Sequence, residues 1–360
     1  MNRSSGRVLA AGLVVFLVVV LASEATLYVP GLQNRPGLSV QITTTPGRIQ
    51  VESTLSSSVA MNFRQTYVLR STEPSPATIY YYYDEAYPTS WSSVVAWLGL
   101  VYHLQVVFAA RGMSVTVDMV NAAQLSGVLT NSSTTHSLLL MASGAFPSTV
   151  LTNRTDLVLP WIRAGGTLFW VGDLIGYYSG TANGALSTNS PSNPGYPVSN
   201  QFIPRSLQGG PGWYFNSTEG SIAVGLNYTA GLHGEDFKLS SLAAEGAEAI
   251  GNQAQGFTNA VWIPQGLGAI VDYGTPFYEG TEPPFAVGVA NMIQLGVFSG
   301  PVVILGYHNV SVTAGQTTSW ATTLTYPTAY PPAAGEFCAL TYQTDVSGLF
   351  GSESCAPLPS

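Results

Sequence analysis

The chain has 360 residues, room for two domains or one large one, and only 8% of them are charged while 46% are hydrophobic. That apolar mass excludes a disordered, highly charged chain. A net charge of -8, with Lys238 as the only lysine, leaves no basic footprint to neutralise phosphates and excludes a nucleic-acid binder.

Arg3 and Arg7 precede an unbroken apolar run from Val8 to Ala22, the n-region and h-region of an export signal. Ser23-Glu24-Ala25 offers a small-x-small cleavage site. Extension through Thr26 to Val29 instead gives an uncleaved anchor with its N-terminus inside. Residues 1–25 are therefore expected to be a signal peptide or an N-terminal membrane anchor. The remainder is then extracellular, either single-pass at the cell membrane or secreted.

Residues 26–76 read as a stalk followed by a β-hairpin segment. Leu38–Thr45 and Arg48–Leu55 are rich in Val, Ile and Thr, and Pro46-Gly47 suits the central positions of a type II turn. From residue 77 strands alternate with helices. Ala77–Tyr83, Ser114–Val120, Ser137–Ala142 and Thr167–Val171 suit strands. Trp91–Ala110 and Ala122–Leu129 suit helices, and Thr155 is placed to cap another over Asp156–Ala164. Arg111-Gly112 ends the first helix in the manner of a glycine C-cap. The stretch Ser92–Ala110 carries no formal charge, but His103 and Gln105 interrupt it, and it reads as a buried helix instead of a second membrane span.

Residues 172–228, rich in Gly, Ser, Asn, Pro and Tyr, form a long irregular insertion. Strands at Ala260–Ile263 and Gly268–Tyr273 and a helix at Phe285–Phe298 follow. Alternating strands and helices imply right-handed crossovers and a parallel sheet. The expected fold class is α/β: a flavodoxin-like parallel sheet flanked by helices over residues 77–300. Residues 301–360 read as a C-terminal β segment and a tail.

In that tail Cys338 and Cys355 can close a short loop in an oxidising compartment. Sequons at Asn131, Asn153, Asn216, Asn227 and Asn309 agree with export. Two thiolates without a nearby His leave a zinc site incomplete. No phosphate loop, dinucleotide fingerprint or zinc signature occurs, so neither a metal nor a cofactor is expected.

The segment from Trp161 to Asp173 (WIRAGGTLFWVGD) resembles the helix, Gly-Gly, strand step of class I glutamine amidotransferase-like domains, and Gly266–Gly274 (GLGAIVDYG) resembles a late strand of their non-catalytic relatives. Those relatives include ThuA-like domains and the trimerisation domain of some β-galactosidases. Amidotransferases of this class place a nucleophilic Cys on a tight strand-to-helix turn. Here that turn reads Val171-Gly172-Asp173-Leu174, and both cysteines lie in the tail. The resemblance thus implies a domain without amidotransferase chemistry.

Asp84, Glu85 and Asp173 fall at carboxyl ends of strands, where open α/β sheets bind ligands. Paired carboxylates there can serve as general acid and base on a glycosidic bond. The competing reading is structural, since acids also end strands and begin helices. His233-Gly234-Glu235-Asp236 is the densest polar cluster, and His233 is its candidate ligand-binding residue. Tyr177 and Trp213, aromatic residues in the insertion, can stack on sugars or peptides. The favoured expectation is an exported, membrane-anchored surface protein with a catalytically silent domain used for binding or assembly with cell-envelope glycans or surface proteins. The alternative is an extracellular, carbohydrate-directed hydrolase using Asp84, Glu85 or Asp173.

Overall fold

The computed structural model describes residues 35–72, 75–89, 93–152, 155–172, 175–188, 201–208, 236–251, 253–274, 280, 282–326, 335–344 and 349–359. In chain order the main elements are β1 (Gly37–Thr45), β2 (Arg48–Ser57), β3 (Met61–Arg70), β4 (Thr78–Tyr82), α1 (Val94–Arg111), β5 (Thr116–Val120), α2 (Ala122–Thr130), β6 (Leu138–Met141), α3 (Val158–Arg163), β7 (Thr167–Val171), β8 (Glu248–Ala249), β9 (Ala260–Gln265), β10 (Gly268–Tyr273), α4 (Glu282–Gln294), β11 (Val302–Val312), β12 (Gln316–Thr325), β13 (Glu336–Gln343) and β14 (Gly351–Pro357).

β1 and β2 alternate exposed and inward residues, the period of a sheet wetted on one face. They pair antiparallel around Gly47, whose φ of 73° meets the turn's need for a left-handed residue. β12 adds to the other edge of β2, completing the sheet β1-β2-β12. β3 behaves differently: most of its residues are buried on both faces. It lies between β11 and β13 in a second antiparallel sheet, β11-β3-β13-β14.

The two sheets pack face to face through Ile49 and Val51 on one side and Tyr67, Leu69, Phe337 and Ala339 on the other. Leu55, Phe63, Val310 and Val312 extend the contact. The opposite face of the second sheet, with Val68, Cys338, Leu340 and Tyr342, joins the core of the remaining module. Burial on both sides explains why β3 and β13 lack the polar alternation of β1.

A fully buried amide sits inside the sandwich. Gln65 on β3 donates through Nε2 to Ser53 Oγ on β2 (3.0 Å) and to Thr341 Oγ1 on β13 (2.8 Å). Its Oε1 accepts from the Tyr67 hydroxyl (2.9 Å) and from Trp320 Nε1 on β12 (3.0 Å). One side chain thus satisfies partners in both sheets, which is the condition for tolerating polar groups in a core.

The other module is built on a seven-stranded mixed sheet, β8-β9-β10-β7-β6-β4-β5. Strands β10, β7, β6, β4 and β5 pair in parallel, and β9 turns back antiparallel onto β10. α1 is capped by Ser93, whose side chain accepts from Ala96 N, and by Gly112 in the left-handed conformation. Asp156, not Thr155, supplies the capping oxygen of α3, accepting from Val158 N and Leu159 N. Gly268 is required by close approach: a Cβ there would stand 2.0 Å from the Gly166 carbonyl oxygen.

The expected flavodoxin-like α/β fold is overturned for the chain. Of the described residues, 45% are strand against 22% helix, and several of the sheets are antiparallel. The physical reason is long-range pairing. The segments read separately as an N-terminal hairpin and a C-terminal β segment hydrogen-bond to each other and form the sandwich, so helices cover only part of the molecule.

Arg70, at the end of β3, fastens the two modules. Its Nε donates to Glu336 Oε1 (2.9 Å), and its terminal nitrogens reach Glu353 Oε2 (3.2 Å), the Gln294 carbonyl at the end of α4, and Cys355 Sγ (3.4 Å). A cation at a helix C-terminus complements the helix dipole. Arg111, at the end of α1, donates to Asn291 Oδ1 (2.6 Å) and Gln294 Oε1 (2.8 Å), and burial lowers its pKa. Gly351 lies so close that a Cβ would come within 2.6 Å of the Arg111 Cζ. Beside this junction Cys338 and Cys355, directly opposite on β13 and β14, form a disulfide.

Two outcomes are expected. Gln65→Ala strands buried donors in both sheets and lowers unfolding free energy in urea by about 3 kcal/mol; a loss below about 1 kcal/mol would contradict the bridging role. Burial raises the Glu353 carboxyl above its ordinary value, with Arg70 opposing. The folded chain then binds this proton more tightly than the unfolded one, so its contribution to stability grows as pH falls through the raised value. Melting temperature should therefore rise slightly from neutral to mildly acidic pH, and Glu353→Gln should remove the rise. A steep fall in the parent protein would contradict it.

Candidate functional site

Parallel pairing brings the carboxyl ends of β4, β6, β7 and β10 to one edge, at Asp84, Ser143-Gly144, Gly172 and Gly274. The chain steps from β4 to β5 on one side and then crosses to β6 on the other. The crevice between the ends of β4 and β6 is therefore the topological switch point, where such sheets hold ligands.

Asp84 stands there with both oxygens engaged. Its Oδ1 accepts from Ala86 N (3.0 Å) and its Oδ2 from Ala122 N (3.0 Å), the first residue of α2. The carboxylate closes its own turn and supplements the Asn121–Gln124 capping box at a helix start, where negative charge is favoured. Glu85 is exposed and accepts from the Tyr83 hydroxyl (2.8 Å). Burial, followed by this carboxylate, pushes the Tyr83 phenol up to about 12. Asp173 lies outside the described residues.

Short strands at 146–147, 178–180 and 186–188 form a separate small sheet. Gly180 packs against Pro88 so closely that a Cβ would meet its Cδ at 2.7 Å. Phe146 stacks on Trp170 (4.9 Å between centroids) and on Phe202 (5.9 Å). Ser143, fully buried, donates to the Ala145 carbonyl (2.8 Å). Tyr177 is half-buried, edge-on to Tyr178 at 4.7 Å. Trp213 and His233 lie outside the described residues, whereas Asp236, from the same polar cluster as His233, is buried.

Two polar groups at this edge escape a reading of the sequence. The Tyr82 hydroxyl is buried with no hydrogen-bond partner among the described residues, and burial, then Asp84, raises its pKa. Asp272, fully buried on β10, pairs in register with Trp170, which pairs with Met141. The available signal was one acid inside the apolar run GAIVDY, since a buried charge is costly unless compensated. Asp272 does not form a glycosidase pair with Asp84. Three strand spacings separate their strands, about 14 Å, beyond the range at which two carboxylates flank one sugar bond.

Glu336, Cys338 and Cys355 bring their ligand atoms within 4.8 Å of one another, but the two sulfurs are bonded together and offer no thiolate. Of the sequon residues, Asn131 and Asn309 are exposed. Asn131 Oδ1 accepts from Ser133 N, and Asn309 Oδ1 from Arg64 Nε (2.8 Å). Asn153, Asn216 and Asn227 lie outside the described residues.

No protein-family model matches the chain, and no curated protein matches it. Among solved structures it is similar to a cold-adapted β-galactosidase from Rahnella sp. R3 (11% identity, TM-score 0.30, 69% of this chain and 41% of that one). It is also similar to a β-galactosidase from Bacillus circulans sp. alkalophilus (10% identity, TM-score 0.32, 80% of this chain and 41% of that one). The chain thus spans about two fifths of the length of these enzymes, and likeness at this level carries no argument about activity.

Replacing Asp84 tests its role. Asp84→Ala should lower stability by about 1–2 kcal/mol, the worth of a helix-capping carboxylate, and Asp84→Asn, which keeps one acceptor, by less. Unchanged unfolding midpoints in both variants would contradict the capping assignment.

Proposed function

We propose that the chain is an exported, membrane-anchored surface protein whose mixed-sheet module binds or assembles with cell-envelope glycans or surface proteins without turning them over. The observation that carries this reading is the switch-point crevice. Its best-placed carboxylate, Asp84, spends both oxygens on backbone amides. The Cys338–Cys355 disulfide supports an oxidising compartment. The apolar run behind Arg3 and Arg7 supports the anchor, and the exposed sequon residues Asn131 and Asn309 are placed to carry glycans.

The finer reading is that residues 161–173 and 266–274 belong to a nucleophile-less amidotransferase relative. It is supported by the local order helix, Gly-Gly turn, strand, with β10 paired beside β7. A hydrolase working from this edge would have to rely on Glu85 or Asp173.

The test uses the full chain carrying a C-terminal epitope. Protease added to intact cells should remove the epitope, and the chain should stay with membranes after an alkaline carbonate wash. An epitope protected in intact cells would overturn export. Turnover of an oligosaccharide or peptide by the purified chain, lost in Glu85→Gln, would overturn the non-catalytic reading.

A further inference from the structure

Helix α1 has no charged residue before Arg111, and only one side of it is buried. Trp97, Leu100, Leu104 and Phe108 face inward. Facing outward, Val94 is 45% exposed, Val95 63%, Leu98 45% and Tyr102 38%, and Gln105 and Ala109 continue the stripe. Met119, on the edge strand β5, is 42% exposed. It pairs in register with Tyr81, whose hydroxyl donates to the Trp97 carbonyl, so Met119 lies on the α1 side of the sheet. Five of the nine large hydrophobics exposed among the described residues thus fall on the α1 side of the sheet, four of them on one face of the helix. A helix apolar all round is ordinarily covered on every side, and a contiguous exposed patch marks an interaction surface.

We propose that this face lies on a lipid bilayer, with Val95, Leu98, Tyr102 and Met119 in the headgroup–acyl boundary. The helix is long and apolar enough to cross a membrane, with a mean hydropathy of 1.5. Its inner face, however, is held to the sheet by the bonds from the Trp97 indole to the Tyr82 carbonyl and from the Tyr81 hydroxyl to the Trp97 carbonyl. It therefore lies along the surface, as interfacial helices do.

Lipid is favoured over other occupants by where the chain enters. Arg35 NH2 donates to the Ala110 carbonyl (2.9 Å), which places residue 35 at the C-terminal end of α1. Twelve residues separate it from Ala22, the end of the apolar run. Extended, they reach about 40 Å, against about 27 Å for the length of α1. A bilayer entered by that run is within reach of the whole stripe. The exposed Arg35 guanidinium stands at the same end and complements lipid phosphates. Tyr102 has the apolar body and polar tip common at membrane interfaces.

This inference rests on the anchored reading, and the experiment separates the two. The full chain is reconstituted in phosphatidylcholine vesicles as Leu98→Cys or as Leu267→Cys. Leu267 is 82% exposed at the β9–β10 turn, and the described native cysteines are both in the disulfide. Each added thiol carries an environment-sensitive fluorophore. At position 98 emission should shift to the blue and be quenched by doxyl-labelled lipid. At position 267 it should remain aqueous and be quenched by iodide. Iodide quenching at both positions, in a chain retained by the vesicles after a carbonate wash, would overturn the lipid face and leave the anchor standing. Protection from iodide without quenching by doxyl lipid would overturn it in favour of a protein occupant. Release of the chain by the wash would overturn the anchor and the lipid face together.

Discussion

The structure depends on one strand that cannot face water on either side. β3 is buried against the outer sheet through Phe63, Tyr67 and Leu69, and against the second module through Val68. Its neighbours β11 and β13 come from the far end of the chain: Gln65 and Thr341, hydrogen-bonded to each other, are 276 residues apart in sequence. Gln65 also fixes alignment, because a slip of one residue would turn its amide to the other face and strand its partners in both sheets. Closing the sandwich therefore closes the chain, and the mixed-sheet module is held between two points, the ends of β3 and β11.

The scarcity of charge has a structural counterpart. Two ion pairs, to Glu336 and Glu353, converge on one cation, Arg70. Elsewhere amides and hydroxyls take the roles that charges often fill. Asn291 and Gln294 receive the Arg111 guanidinium, and Asn121 with Gln124 caps α2. Ser39, Gln41, Thr54 and Ser319 line the wet face of the sandwich, with Glu52 among them. Such contacts do not titrate in the acid range and are less screened by salt than ion pairs. Against this polar, charge-poor surface, the exposed apolar flank of α1 is an exception.

Local features of the fold were legible where the signal is local. Alternation around Pro46-Gly47 gave the β1–β2 hairpin, and Gly112 marked the end of α1. The sandwich was not legible, because alternation shows that a segment is a strand without naming its partner. Residues 26–76 and 301–360 each read as a β segment, yet nothing near either one points to the other. Gln65 was invisible for a related reason: a glutamine in a strand reads as solvent-facing until its strand is known to be covered on both sides.

The candidate site divides in the same way. Asp84 was found by its place between a strand and a helix, but the helix start it supplements is that of α2, far along the chain, whereas α1 is capped by Ser93. Asp272 was passed over inside an apolar strand, although burial makes it the more unusual carboxylate. The half-exposed state of α1 required knowing which neighbours it has. Amide exchange of the native protein bears most directly on the central claim, that β3 holds the two chain ends together. The account predicts that amides of 61–70 and 336–343 exchange last and together, through global opening, while the edge strand β1 exchanges earlier. Exchange of 61–70 as fast as that of β1, or uncoupled from 336–343, would contradict it.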